Sequence, residues 1–275
     1  MHTILVVANE TLGGQELLDT VRAHSSGATR VILCVPRKRP HHGNVIYDEA
    51  VFDATQVRID LARGVMREEG ITTIGEVGDP DPYTATMDAV YEHHPDEIII
   101  STFPATSSGW LRRDLIERVQ EASGLPVTHV VADIDRQGLP FDVTLVVANR
   151  TASSGDLLEC LKSKARGERR RLFIVTVPQE GGQGEHAARA RARLAQVVDV
   201  LRSEGLLAAG MIGDPDPYTA TMNALQFFRV DDIVISTLPA TRSGWLRADL
   251  VERVRKSTNK PVEHVEAQTS NAAAA

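Results

Sequence analysis

Short apolar runs alternate with amphipathic stretches along most of the chain. The run Thr3 to Ala8 is apolar almost without interruption, and such runs predict strands that are buried on both faces of a sheet. The stretches between the runs place apolar residues at helical spacing, as Leu17, Leu18 and Val21 do. Strands that alternate with helices predict an α/β fold in which right-handed crossovers build parallel sheets.

This order of elements occurs twice, because the sequence contains an internal duplication. The segment Gly78 to Met87, GDPDPYTATM, recurs unchanged as Gly213 to Met222. The segment Leu5 to Asn9, LVVAN, recurs as Leu145 to Asn149. Self-similarity on this scale indicates repeated structural units. We therefore predict two homologous α/β repeats, 1–135 and 141–267, followed by a disordered tail, 268–275.

Each repeat is predicted to form five strands and four helices. The predicted strands are Thr3–Ala8, Arg30–Pro36, Ile71–Val77, Glu97–Thr102 and Pro126–Val131, then Val143–Ala148, Leu172–Val177, Leu207–Ile212, Asp232–Thr237 and Val262–Val265. The predicted helices are Thr11–His24, Tyr47–Glu69, one capped by Asp81, and Leu111–Ala122, then Ser154–Ala165, Glu185–Ser203, Pro217–Phe228 and Leu246–Lys256.

Composition excludes several classes of function. The formal net charge of −7 argues against a nucleic-acid partner, since phosphate backbones are bound by basic faces. We interpret the basic run Arg169 to Arg171 as a solvated strand flank. The two cysteines, Cys34 and Cys160, form no metal or disulfide motif, which favours the cytoplasm. No signal segment or membrane-spanning run is evident, and we predict no catalytic or metal-binding residue.

One loop carries the candidate chemistry, and it is also duplicated. Ser101 to Arg112 follows the fourth predicted strand and recurs as Ser236 to Arg247. In open α/β sheets, ligands bind at the carboxyl ends of the strands. Hydroxyls, flexible amides and an arginine in such a loop suit a phosphate, and a tryptophan can stack on a base. The alternative is structural: Ser108 caps the helix, Trp110 packs under the loop, and Arg112 pairs with Asp114.

Taken together, the chain resembles a tandem universal stress protein. The resemblance rests on the order of elements in both repeats, the Gly-Asp-Pro turns, and the acidic residues before the fourth strands, Asp96 and Asp231. It also rests on the Pro-Val pairs that open the fifth strands. The family implies doubly wound parallel five-stranded sheets, often ordered 3-2-1-4-5, and dimerisation through the fifth strand. Many members bind ATP at the ends of strands one and four.

The sequence departs from the glycine pattern of the ATP-binding members. Ser101 and Pro104 stand where the first two glycines belong, and Asn9 and Asn149 replace an aspartate that follows strand one. Because proline lacks an amide donor, the expected phosphate loop is non-standard. The cofactor is therefore left open between ATP, AMP and another small anion.

We predict two matching ligand sites, one in each repeat. In both, the asparagine contacts ribose, the backbone that ends strand two meets the base, and the Ser/Gly/Arg loop meets phosphate. The first set is Asn9, Val35, Ser101, Thr102, Ser107, Ser108, Gly109, Trp110 and Arg112. The second set is Asn149, Val177, Ser236, Thr237, Ser243, Gly244, Trp245 and Arg247.

Three functions remain open at this point. The leading hypothesis is a non-enzymatic, cytoplasmic stress-response or regulatory protein that binds a nucleotide or another small anion. The second is a ligand-free scaffold for protein partners, with an intramolecular pseudo-dimer through Val127–Val131 and Val262–Val265, or a homodimer. The third is a weak ATP hydrolase, which the lack of a recognisable base or metal set disfavours.

Overall fold

The structure is a computed structural model, and it describes residues 1–25, 27–40, 47–104, 109–110, 114–179, 185–239, 243–247 and 249–267. The chain divides into two compact units, Met1–Arg39 with Thr55–Pro140 and Pro40–Ala54 with Phe141–Ala275. The short segment 40–54, which includes the start of the long helix of the first repeat, thus groups with the second unit. The predicted tail, 268–275, lies outside the described residues.

The first repeat forms a five-stranded parallel sheet with the order β3-β2-β1-β4-β5. Its strands are β1 (His2–Val7), β2 (Thr29–Pro36), β3 (Thr73–Gly78), β4 (Glu97–Thr102) and β5 (Val127–Val131). Its helices are α1 (Gln15–His24), α2 (Asp48–Glu68), α3 (Pro82–His93), α4 (Leu115–Ser123) and α5 (Ile134–Gln137).

The second repeat forms a separate parallel sheet with the order β10-β9-β6-β7-β8. Its strands are β6 (Asp142–Val147), β7 (Arg171–Pro178), β8 (Leu207–Gly213), β9 (Asp232–Thr237) and β10 (Val262–Glu266). Its helices are α6 (Gly155–Ala165), α7 (Glu185–Ser203), α8 (Pro217–Phe227), α9 (Gly244–Arg247) and α10 (Leu250–Ser257). The predicted fold class, two doubly wound five-stranded parallel sheets, is confirmed.

The central strands form these sheets because their side chains are apolar on both faces. In β1, Leu5 is paired with Ile32 on one side and Ile98 on the other, and all three are fully buried. The core is aliphatic apart from a few aromatic residues such as Phe173 in β7. The acidic residues before the fourth strands tie the sheet together, since Asp96 accepts from the Thr3 amide and Asp231 from the Val143 amide, both at 2.7 Å.

The duplicated GDPDPYTATM segment is a joint between the third strand and the third helix. Asp216 caps α8 by accepting a hydrogen bond from the amide of Thr219 at 2.9 Å, and Pro217 occupies the first helical position. Asp81 caps α3 in the same way. Side-chain caps and an initial proline both favour helix starts. Gly213 is required because a Cβ there would lie 2.6 Å from Cβ of Ala220. Capping and close packing therefore explain why the two copies of the segment have the same sequence.

Two predicted helices and one predicted surface are wrong. The predicted helix Leu246–Lys256 is interrupted, because Asp249 adopts a left-handed backbone (φ 49°) between α9 and α10. The predicted helix Leu111–Ala122 fails in the same way, because Asp114 has the same φ and α4 begins only after it. Arg171 is not a solvated flank: its side chain is only 15% exposed and pairs with Asp142 and Asp232.

Candidate ligand site

The second repeat contains a cavity of about 390 Å³ at the carboxyl ends of β6 and β9. The chain runs from β6 to its neighbour β7 on one side and from β9 to its neighbour β10 on the other. These connections leave in opposite directions, which opens a crevice between the ends of β6 and β9. Its lining residues are Asn149, Arg150, Thr151, Pro178, Gln179, Pro215, Ser236, Thr237, Leu238, Ser243, Gly244 and Trp245. Six of the eight residues predicted for this site line the cavity. Val177 does not line it, and the side chain of Arg247 lies outside the described residues.

The asparagine after the first strand links that strand to the end of the second one. Asn149 donates from Nδ2 to the carbonyl of Pro178 at 3.1 Å and accepts from Nη1 of Arg193 through Oδ1. Asn9 makes the same bond to the carbonyl of Pro36, at 2.5 Å, but its buried Oδ1 has no hydrogen-bond partner. Each asparagine therefore links the ends of the first and second strands of its repeat, and its predicted contact with ribose stays a prediction. The contact with the α7 arginine was not foreseen.

A serine in the fourth strand of each repeat carries a buried hydroxyl that makes no hydrogen bond with the residues that the structure describes. Ser101 and Ser236 are each 1% exposed, and their Oγ atoms have no partner. Their carbonyls are engaged instead, by the hydroxyls of Thr11 at 3.2 Å and Thr151 at 3.0 Å. A buried polar atom without a partner is costly. Ser236 lines the cavity, so a ligand there can supply the missing bond.

The next residue, a threonine, is held by the protein itself. Thr237 donates to the carbonyl of Leu238 at 2.9 Å and lies 2.8 Å from Nε2 of His264. Thr102 makes the equivalent contacts with Phe103 and His129. Burial lowers the pKa of both histidines, which favours neutral rings that are hydrogen-bonded in place. These threonine hydroxyls therefore have less capacity for a ligand than the serine hydroxyls.

The remaining predicted residues fall into four groups. Val35 and Val177 are fully buried, which leaves only backbone for a ligand, and Pro178 and Gln179 line the cavity instead of Val177. Trp245 lines the cavity, whereas Trp110 packs against the core of the first repeat. Gly109 is exposed. Ser107, Ser108, Arg112 and the side chain of Arg247 lie outside the described residues.

The two repeats differ in charge directly after the asparagine. Glu10 follows Asn9 and pairs with Lys38 at 2.7 Å. Burial lowers the pKa of nearby Arg58 to about 10, and the charge of Glu10 acts in the opposite direction. In the second repeat the equivalent position is Arg150, which lines the cavity. This difference could have been predicted from the sequence, since Glu10 and Arg150 directly follow the two asparagines that were predicted as site residues.

Among the described residues, one side-chain group has the spacing of metal ligands: Glu76, Glu92 and His93. Its histidine is already engaged, with Nε2 of His93 2.7 Å from the carboxylate of Glu76. The equivalent positions of the second repeat are Met211, Phe227 and Phe228. An internal ion pair accounts for this polar group, and we assign it no metal. None of the described helices combines the length and apolar character needed to cross a membrane.

No family model matches the chain, and no curated protein matches it. Solved structures do match. A universal stress protein from Archaeoglobus fulgidus in complex with dAMP is 19% identical over 46% of this chain and 98% of its own, with a TM-score of 0.34. A universal stress protein from Archaeoglobus fulgidus DSM 4304 is 16% identical over 96% of this chain and 98% of its own, with a TM-score of 0.36. At such low TM-scores, the fold assignment rests on the strand order and register of the chain itself.

Proposed function

We propose that the chain is a non-enzymatic protein of the universal stress type, active in stress response or regulation in the cytoplasm, which binds a small anionic ligand in the second repeat. An adenine nucleotide such as AMP or ATP is the ligand that the predicted roles favour. The observation that carries the proposal is the cavity at the ends of β6 and β9, with the unpartnered Ser236 hydroxyl in its wall. Its volume lies within the range typical of small-molecule sites.

In this proposal each part of the cavity wall has one role. Asn149, held by Pro178 and Arg193, contacts the ribose. The backbone at Pro178 and Gln179 meets the base, and Trp245 offers an aromatic face for stacking. Ser236 donates or accepts the bond that its hydroxyl lacks. Ser243 and Gly244 lie where the phosphate would pass, with Arg247 three residues beyond Gly244.

The first repeat favours a different role. Trp110 packs against the core there, whereas Trp245 lines the cavity of the second repeat. This difference suits the ligand-free scaffold function, in which the first repeat contacts a partner protein or a second copy of the chain. This second candidate concerns the first repeat and is compatible with ligand binding in the second.

Calorimetric titration with AMP, ADP and ATP tests the proposal. We expect the wild-type chain to bind at least one of them, and Ser236→Ala to weaken that binding about 2- to 10-fold, the usual worth of one hydrogen bond. Ser163→Ala, on the exposed side of α6, is the control and should bind as the wild type does. Absence of heat with all three nucleotides would contradict the proposal, and steady phosphate release from ATP would favour the weak hydrolase instead.

A further inference from the structure

The cavity of the second repeat has an arginine at its entrance that the first repeat does not have. Arg150 follows Asn149 directly, and both residues line the cavity together with Ser236. A guanidinium carries a permanent charge and a planar fork of donors that matches phosphate oxygens. A second arginine, Arg193, reaches the same corner from α7 and donates to Oδ1 of Asn149. The corner of the cavity that contains Asn149 therefore includes two arginines, Arg150 in its lining and Arg193 bonded to the asparagine.

The equivalent corner of the first repeat carries the opposite charge next to the asparagine. Glu10 follows Asn9, and its carboxylate lies 2.7 Å from the ammonium group of Lys38. Arg58, which occupies the position of Arg193 in the duplicated helix, is subject to the charge of Glu10. A phosphate beside Asn9 would face this carboxylate, and like charges at short range repel.

The ends of the second strands carry the reverse arrangement in sequence. Lys38 stands two residues after Pro36, whereas Glu180, outside the described residues, stands two residues after Pro178. The first repeat thus places its acid after strand one and its base after strand two, and the second repeat does the opposite. In sequence, the residue that directly follows the asparagine is therefore a cation in the second repeat and a carboxylate in the first.

We propose that Arg150 binds the phosphate of a nucleoside monophosphate, in place of a glycine-rich loop, and that the chain consequently holds one such ligand, in the second repeat only. This inference rests on the proposed function, because it assigns the phosphate-binding residue of that same cavity. The two repeats then differ in function because one carries Glu10 and the other carries Arg150 at the equivalent position.

The test compares AMP with adenosine, which differ only by the phosphate. Titration calorimetry of the wild-type chain should give one AMP per chain and clearly tighter binding of AMP than of adenosine. Arg150→Gln should weaken AMP binding about tenfold or more, since charge-assisted hydrogen bonds are lost, while adenosine binding stays unchanged. Glu10→Gln is the matched variant of the first repeat and should change neither ligand. Arg150 is exposed, and circular dichroism should show that its variant is folded.

The possible outcomes separate this inference from the proposed function. If Arg150→Gln keeps the wild-type preference for AMP, or if two equivalent AMP molecules bind per chain, the assignment of the phosphate to Arg150 is overturned and the cavity remains a ligand site. Equal binding of AMP and adenosine by the wild type also overturns it. If the wild type binds neither compound, the adenine-nucleotide function falls, and this inference falls with it.

Discussion

Alanine at position 210 is expected to lower the free energy of unfolding of the second unit by about 1–3 kcal/mol, the usual cost of overpacking. Gly210 lies in β8, paired with Val175 of β7. A Cβ at this position would lie 2.6 Å from the carbonyl oxygen of Val175 and 2.5 Å from Cδ1 of Leu194. The carbonyl belongs to the neighbouring strand and cannot rotate away, so the strand or α7 has to shift.

The same substitution should also weaken ligand binding, although Gly210 does not line the cavity. Leu194, the α7 residue that the new methyl group would contact, is adjacent to Arg193, which holds Asn149. Displacing α7 therefore loosens the asparagine. Because the chain has two tryptophans, urea unfolding in a Trp110→Phe background reports on Trp245 in the second unit alone, and AMP titration of the same protein measures binding.

Gly155→Ala is the control for Gly210→Ala. No heavy atom lies within 4 Å of a Cβ at Gly155, and its φ is not in the left-handed range. Alanine lowers the conformational entropy of the unfolded chain, and at this position it causes no steric clash in the folded one. This variant should therefore be as stable as the wild type or slightly more stable. Equal stability of the two variants would show that β8 and α7 are less closely packed than the structure indicates.

Local sequence patterns were enough to predict the fold. Buried parallel strands such as β1 require uninterrupted apolar runs, and the run from Thr3 to Ala8 cannot form a surface element. The duplicated segments then fixed the number of repeats. Asn149 and Ser236 could be predicted as candidate residues because they lie at the carboxyl ends of β6 and β9. The crevice forms where the strand order reverses, and that position depends only on strand order.

Features that depend on which way one side chain points were not predictable. Arg193 is one of several arginines in α7, and helical periodicity does not show which of them reaches the ends of the strands. Arg171 lies in a basic run that is typical of solvent, yet it is drawn inward by acids from two neighbouring strands. The break at Asp249 was missed because aspartate tolerates the left-handed conformation, and its neighbours all favour a helix.

Asp232→Ala is the other substitution from which we expect a large effect, because it removes a charge at the centre of a largely buried network. Asp232 opens β9 with its side chain 16% exposed, and its Oδ2 accepts from Nη1 of Arg171 at 2.8 Å and Nζ of Lys164 at 3.2 Å. Lys164 also pairs with Glu263 at 2.9 Å, and that hydrogen bond lowers the pKa of Glu263. One aspartate therefore holds cations from β7 and α6 at the start of the sheet.

Removal of the Asp232 carboxylate takes one ion-pair partner from each of two poorly solvated cations, Arg171 and Lys164. Breaking a buried pair typically costs about 3–5 kcal/mol. Since Arg171 keeps Asp142 and Lys164 keeps Glu263, we expect a loss of about 2–3 kcal/mol for Asp232→Ala. Urea unfolding followed through Trp245 measures it. The loss should persist in high salt, because the charges are shielded from solvent.

Glu252→Ala is the matched control, since it breaks an ion pair of the same repeat that lies in solvent. Glu252 and Arg255 are 59% and 45% exposed and lie one turn apart on α10. Exposed pairs of this kind contribute at most about 0.5 kcal/mol, so the variant should unfold almost as the wild type does. A similar small effect for Asp232→Ala would mean that water reaches Arg171 and Lys164 freely, and that this charge network contributes little to holding the start of β9 in the sheet.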